Sequence, residues 1–149
     1  MRRVRKVNVF SPEFDNSRDQ EGYRWRSAWL GKQVGAEKIG VSLYELPEGQ
    51  KSFPYHFHHG MEEWLIVIAG TPTLRGPDGE RELRRGDVVC FPPGPDGGHQ
   101  VRGPATVLML SAQGAPETIE YPDSGKVGAR PPGKFFRLGD AVEYFEGEE

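Results

Sequence analysis

Short alternations of apolar and polar residues, separated by glycine and proline, run through most of the chain. Alternation with a period of two places successive side chains on opposite faces and is typical of β-strands. The predicted strands cover residues 5–10, 23–30, 39–46, 53–58, 63–68, 73–75, 80–83, 88–91, 99–102 and 106–111, with weaker ones at 117–121 and 126–130. Segments 17–22 and 31–36 are predicted to be a loop and a turn. Helical periodicity is absent before the C-terminal tail, where residues 138–145 are compatible with a short helix.

Turn signals between these runs favour antiparallel pairing. Gly76-Pro77-Asp78-Gly79 predicts a hairpin, and the proline- and glycine-rich segment 92–98 excludes a helix or a central strand. The 20 glycines and 13 prolines are spread between apolar runs, which indicates frequent turns rather than disorder. The pattern as a whole predicts an all-β antiparallel barrel or sandwich.

Size and charge narrow the class of protein. The 149 residues fit a single domain (1–149), without a dividing linker, and a net charge of −3 argues against nucleic-acid binding. The basic start, residues 2–6, is expected on the solvent face of a strand. No apolar run approaches the roughly 20 residues of a membrane helix, and no signal peptide is recognisable, so we expect a cytoplasmic protein. Cys90, the single cysteine, cannot form an internal disulfide and is predicted to be a buried, inert thiol.

Candidate chemistry concentrates in residues 54–64. His56 and His58 are two residues apart and share one face of a predicted strand, and Glu63 opens the next strand after a short turn. Two imidazoles and a carboxylate on one interior face suit a divalent transition metal. The alternative is a pair of hydrogen-bonded histidines in an empty barrel. His59 should point away from this interior face, as a solvated or supporting residue. Glu62 should also point away, as an ion-pairing surface group. His99 could face the same interior.

Two groups of residues resemble the motifs of the cupin family. The first group is Gly49, His56, His58, Glu63 and Gly70, and the second is Gly86, Pro92, Gly94 and His99. The resemblance implies a cupin-type double-stranded β-helix, or jelly-roll barrel, with its core at about residues 37–112. A short mixed C-terminal tail would pack on the barrel or on a partner subunit.

The same resemblance implies a metal centre inside the barrel. Its ligands would be His56, His58, Glu63 and His99, holding one divalent ion of Mn, Fe, Ni, Co or Zn. The spacing departs from the family pattern in two places. Gly49 lies one residue farther from His56, and four residues instead of two separate Gly94 from His99. Gly103 also stands where the family usually has asparagine.

The function implied is a metal-dependent enzyme acting on a small polar molecule, of oxygenase, isomerase or decarboxylase type. A metal-loaded protein that binds a sugar or an oxyacid without turnover is the alternative, and a structural or storage role is a third hypothesis. Possible pocket walls are Tyr44, Tyr55, Phe91 and Met109. No separate general base stands out, although Tyr44 or Tyr55 would serve if it faced the site.

A homodimer is expected, because small jelly rolls keep edge strands and apolar faces that pairing can cover. Tyr23, Trp25 and Trp29 lie on one face of a predicted strand and are expected in the core or on the dimer surface.

Overall fold

Antiparallel strands dominate the computed structural model, which describes residues 3–112, 114 and 116–149. The strands are β1 (Asn16–Gln20), β2 (Tyr23–Ala28), β3 (Ile39–Leu46), β4 (Phe57–His58), β5 (Glu63–Gly70), β6 (Thr73–Gly76), β7 (Gly79–Glu82), β8 (Val88–Phe91), β9 (Gln100–Arg102), β10 (Ala105–Ala112), β11 (Glu117–Tyr121), β12 (Lys126–Arg130) and β13 (Lys134–Arg137). One short α-helix, α1 (Leu30–Val34), and 3-10 turns at Pro95–Gly97, Pro122–Ser124 and Leu138–Asp140 complete the described elements.

The strands form three sheets. The largest has six strands in the order β1-β2-β3-β10-β5-β8, and the others have the orders β13-β12-β11-β4 and β7-β6-β9. The predicted hairpin is confirmed, since Gly76 pairs with Gly79 where β6 turns into β7. The all-β jelly-roll fold expected from the sequence is therefore present.

The main core lies between the six-stranded and three-stranded sheets. Alternation along β5 and β10 turns Leu65, Val67 and Val107 inward, where they meet Leu74 of β6 and Val101 of β9. All five side chains are at most 2% exposed. Burial of each such side chain stabilises the fold by roughly 1.5–3 kcal/mol, so this core holds the sheets face to face.

The outer face of the six-stranded sheet carries a second, smaller core. Leu43 points outward between two inward residues of β3 and packs with Ala28 and Leu30. Val9 and Phe14 of the N-terminal segment pack against the same cluster. Helix α1 and the N-terminal segment therefore cover part of the sheet that alternation alone would leave to solvent.

Three differences from the predicted elements occur near the N-terminus. Residues 5–10 form no strand, β1 occupies the predicted loop 17–22, and α1 occupies the predicted turn 31–36. Strand β1 is polar along its whole length and is held at the sheet edge by backbone pairing to β2. It therefore has no hydrophobic signature for a pattern to detect.

The C-terminal tail adds strands rather than the short helix considered for 138–145. β13 pairs with β12, and only the 3-10 turn Leu138–Asp140 follows it. The ring centroids of Phe135 and Tyr121 are 5.7 Å apart, which anchors this extension on β11.

One prediction of side-chain burial needs correction. Cys90 is exposed, because Phe91 points inward on the edge strand β8 and its neighbour must point out. Trp25 belongs to the main core, whereas Trp29 is 42% exposed. Within the described residues, no helix is long and apolar enough to cross a membrane.

Candidate functional site

Two strand segments bring the first histidines to the interior. β4 pairs with β11 through Phe57 and His58, and the residue before it, His56, forms an isolated bridge with His99. Backbone N–H groups of His56 and His99 each donate to the carbonyl of the other, at 3.2 and 2.9 Å. His99, which follows the long Pro/Gly loop, is thereby placed beside His56 and His58.

One carboxylate oxygen is the meeting point of the cluster. Glu63 Oε2 lies 3.1 Å from His58 Nε2, 3.2 Å from His99 Nε2 and 3.9 Å from His56 Nε2. Ligand atoms of His56, His58 and Glu63 all lie within 4.8 Å of one another. The four residues predicted as metal ligands are thus brought together, including His99 despite its unusual spacing.

Backbone carbonyls orient two of the imidazole rings. His56 Nδ1 is 2.8 Å from the Pro54 carbonyl and His99 Nδ1 is 2.8 Å from the Gly97 carbonyl. A carbonyl only accepts, so in each ring Nδ1 carries the hydrogen and the neutral form keeps its lone pair on Nε2. Those lone pairs face the Glu63 carboxylate, an arrangement that a bound metal cation would stabilise.

His58 provides independent support for a ligand. Both of its ring nitrogens are buried and, within the described part of the chain, neither makes a well-aligned hydrogen bond, although Nε2 lies 3.1 Å from Glu63 Oε2 and Nδ1 lies 3.6 Å from Glu117 Oε1. An unpaired buried polar group costs roughly 1–3 kcal/mol, which coordination of an ion would offset. The donor set of three imidazoles and one carboxylate therefore fits a divalent transition metal.

Burial sets the charge state of the cluster. Removal from water lowers the pKa of His56 to about 4, and the neighbouring His99 acts in the same direction. Burial alone would raise the pKa of the Glu63 carboxyl, but the adjacent His58 and His99 side chains outweigh it and hold that pKa well below its usual range. A neutral His56 beside an ionised Glu63 is the state in which both can bind a metal.

The predicted pocket walls divide into two groups. Tyr44 and Met109 line the cavity that leads to the cluster. Phe91 lies behind the site and stacks on His99, with ring centroids 3.7 Å apart and planes at 7°. Tyr55 does not line this cavity, because its ring lies under the Arg75 guanidinium, 4.3 Å from the guanidinium carbon.

Glu117 and Tyr121 of β11 also line the cavity and were not predicted as site residues. Glu117 is 5% exposed, accepts hydrogen bonds from the backbone N–H groups of His59 and Gly60, and lies 3.6 Å from His58 Nδ1. The Tyr121 ring stacks near His56 at 5.8 Å. The only available signal was the alternation of Glu117, Ile119 and Tyr121 in a weak predicted strand.

His59 and Glu62 point away from the cluster, as the alternation predicts. His59 Nε2 is 2.8 Å from Glu120 Oε1, and Glu62 accepts a hydrogen bond from the Trp64 indole at 2.7 Å.

The four cluster residues line a cavity of about 1580 Å³ whose wall also includes residues of α1 and of the N-terminal segment. This volume exceeds the roughly 300–1,000 Å³ of a typical small-molecule site, because the cavity extends from the cluster to α1 and the N-terminal segment. A small polar molecule can therefore reach the imidazoles from solvent.

A jelly-roll fold with an interior histidine–carboxylate cluster defines a cupin-type protein, and comparison with known families agrees. The family model described as "Cupin domain" matches residues 42–112, which include all four cluster residues. The chain therefore belongs to the cupin family. A search of curated proteins finds no match.

Solved structures show the same fold. A sugar phosphate isomerase of the cupin superfamily from Silicibacter pomeroyi superposes with a TM-score of 0.79 at 27% identity, over 95% of this chain and 98% of that chain. A protein assigned as a sugar phosphate isomerase from Acidithiobacillus ferrooxidans gives 0.76 at 25% identity, over 82% and 81%. The polyketide cyclase RemF from Streptomyces resistomycificus gives 0.58 at 22% identity, over 74% and 79%, and supports the fold alone.

Proposed function

We propose that this cupin is a divalent-metal-dependent enzyme that isomerises a small sugar phosphate. The observation that carries the proposal is the convergence of three imidazole Nε2 atoms on one Glu63 oxygen at the inner end of an open cavity. A structural metal site would be closed, whereas a site reached from solvent leaves room for a substrate.

His56, His58, Glu63 and His99 would hold the ion, which is one of Mn, Fe, Ni, Co or Zn. Four protein ligands leave about two positions of an octahedral shell for substrate oxygens. The bound metal would supply Lewis acidity toward a substrate carbonyl or hydroxyl oxygen.

Two tyrosines of the cavity would hold protons rather than remove them. Burial raises the pKa of Tyr44 and of Tyr121, so both phenols stay protonated at neutral pH. Each can then donate a hydrogen bond to a substrate oxygen. Tyr44 is therefore a proton donor in this proposal and not the general base considered from the sequence, and Tyr55 lies outside the cavity.

The choice of isomerisation over oxygenation or decarboxylation rests on the structural neighbours. Two proteins at 25–27% identity that share most of the fold are described as sugar phosphate isomerases. Fold likeness alone does not transfer a reaction, so the assay decides.

The test combines metal analysis with a proton-exchange assay. Purified protein should hold close to one divalent ion per chain. Incubated in D₂O with fructose 6-phosphate, glucose 6-phosphate or pentose 5-phosphates, it should yield the isomer with deuterium at the carbon next to the carbonyl, seen by proton NMR. The His58→Ala variant should lose both the bound metal and the isomerisation. A ligand-dependent melting shift without product would instead favour the non-catalytic binder, and absence of metal would contradict both functions.

We also propose a homodimer in a reducing, cytoplasmic compartment. Support for pairing comes from outward apolar side chains on the six-stranded sheet and beside it, with Trp29 42%, Trp64 44% and Val88 54% exposed. Support for the compartment comes from the single cysteine, which leaves the fold without an internal disulfide.

A further inference from the structure

Several cations line the cavity outside the metal cluster, and three of them lie on β1 and β12. Arg18 pairs opposite the inward residue Trp25 in the β1–β2 register, so its side chain lies on the inner face of the six-stranded sheet. Lys126 and Arg130 pair opposite the inward residues Tyr121 and Glu117 of β11. These three residues, here called the cationic rim, therefore face one another from two sheets and all line the cavity.

Two of the three rim cations, Arg18 and Lys126, rest on aromatic rings. The Arg18 guanidinium carbon is 5.1 Å from the Trp25 ring and 5.8 Å from the Phe53 ring. The Lys126 ammonium is 5.7 Å from the Tyr121 ring and 5.8 Å from the Phe135 ring. Cation–π contacts of this kind fix position without neutralising charge.

Four arginines elsewhere on the surface have acidic partners. The pairs are Arg24–Asp19, Arg26–Glu45, Arg75–Asp123 and Arg102–Glu80. By contrast, no carboxylate among the described residues lies within ion-pair distance of Arg18, Lys126 or Arg130. The rim cations thus face the cavity without a carboxylate partner, in a chain whose net charge is −3.

We propose that Arg18, Lys126 and Arg130 bind the phosphate group of the substrate while its sugar end reaches the histidine cluster. The inference rests on the proposed function for its substrate class, and the binding experiments below do not require turnover. Guanidinium and ammonium donors give the strongest hydrogen bonds to phosphate oxygens, and the rim offers both types. Negative charge drawn to the rim would also raise the local concentration of substrate.

Isothermal titration of the metal-loaded protein tests the rim directly. Fructose 6-phosphate should bind more tightly than fructose. Arg18→Gln and Arg130→Gln should each weaken binding of fructose 6-phosphate about tenfold, the effect of one lost charge-assisted hydrogen bond, and leave fructose binding unchanged. Lys134→Gln is the matched control. Lys134 pairs opposite Ala129 on the outer face, and its substitution removes the same charge. An equal loss for Lys134→Gln, or the same loss for both sugars, would overturn the proposal.

Inorganic phosphate and gluconate separate the remaining possibilities. Inorganic phosphate should still bind after metal removal and in His58→Ala, and should bind more weakly in Arg130→Gln. If phosphate binding disappears with the metal but survives Arg18→Gln and Arg130→Gln, the anion binds the metal. That result would overturn the proposal that the rim binds phosphate. Gluconate binding as tight as that of fructose 6-phosphate would overturn the assignment to phosphate.

Folding and turnover are read independently. Thermal melting of each variant checks the fold, and because the two arginines lie on different sheets, one variant remains interpretable if the other unfolds. A protein that binds fructose 6-phosphate through the rim yet isomerises nothing would support the rim and contradict the isomerase. An active isomerase insensitive to both arginine substitutions would support the isomerase and contradict the rim.

Discussion

The two carbonyl oxygens behind His56 and His99 do as much for the site as the imidazoles themselves. By accepting Nδ1–H, they leave Nε2 as the nitrogen directed at Glu63. Such supporting contacts usually set both ring orientation and ligand basicity. The chemistry of the cluster is therefore decided by single hydrogen bonds, and single substitutions should reveal it.

Adjacent histidines provide a matched pair for testing metal binding. His58→Ala should reduce metal content to near zero, because it removes a ligand from the centre of the cluster. His59→Ala should leave metal content unchanged, because His59 points outward to Glu120. Inductively coupled plasma mass spectrometry of both purified variants makes the comparison. Equal metal loss in the two variants would contradict the proposed ligand set.

Glu117→Gln should weaken metal affinity by roughly 10–100-fold, the usual effect of losing a supporting carboxylate behind a ligand. The amide retains an oxygen for the N–H groups of His59 and Gly60, but loses the negative charge 3.6 Å from His58 Nδ1. Competition with a chromogenic chelator measures the affinity. Glu120→Gln, which affects only the exposed His59 contact, is the control and should have no effect.

The metal-free protein should lose stability on mild acidification. The pKa of His56 is lowered to about 4 in the folded state, against 6.5 for the free side chain. As pH falls below 6.5, His56 binds a proton in the unfolded chain but stays neutral in the folded chain. Unfolding is therefore increasingly favoured until about pH 4. Between pH 7.5 and 5 this costs about 2 kcal/mol.

Urea denaturation of chelator-treated protein at the two pH values measures this loss. His56→Gln should reduce it, and metal-loaded protein should resist it. A loss of the same size in His56→Gln would show that other groups are responsible.

At the residue scale, the local pattern of a spaced pair of histidines and a carboxylate was sufficient for His56, His58 and Glu63, whereas His99 was found through the resemblance to the cupin motifs. Glu117 could not be found in the same way. It reaches His58 only through the pairing of β11 with β4, a contact between residues 59 positions apart in the chain. Position in a sheet, and not residue type, made it part of the site.

At the element scale, hydrophobic alternation located the central strands well. β3, β8, β11 and β12 have the bounds that the sequence predicts. Among the failures, β1 is uniformly polar and α1 is too short for helical periodicity. Both are held by neighbouring elements, and that information is absent from their own residues.

Gly103 explains one departure from the family pattern. A Cβ there would lie 2.3 Å from the Pro47 carbonyl oxygen and 2.4 Å from that of Leu46, both backbone atoms that cannot easily move. Gly103→Asn, which restores the usual family residue, should therefore destabilise the fold by about 1–3 kcal/mol in urea denaturation. Gly139→Asn has open space around it and should have little effect. Equal stability of the two variants would contradict this explanation.

At the scale of the whole molecule, the outer face of the six-stranded sheet should mediate self-association. Trp64 and Val88 are exposed on neighbouring strands, and Ile66 pairs opposite Val88. A stable dimer needs about 800 Å² of buried surface per subunit, and an apolar sheet face is suited to supply it. Light scattering should give the mass of two chains, and Trp64→Glu should give one. A monomer at high concentration would refute the dimer, and a dimer that survives Trp64→Glu would place the contact elsewhere.

The chain order of the two parts of the cavity has a functional consequence. His56, His58, Glu63 and His99 all lie inside the matched region 42–112, whereas Arg18 of β1 and Lys126 and Arg130 of β12 lie outside it. Under the proposed function, the residues that hold the metal and those that bind the phosphate therefore come from different parts of the chain. A chimera that joins the terminal strands of another cupin to this central region would test whether the terminal strands determine substrate preference.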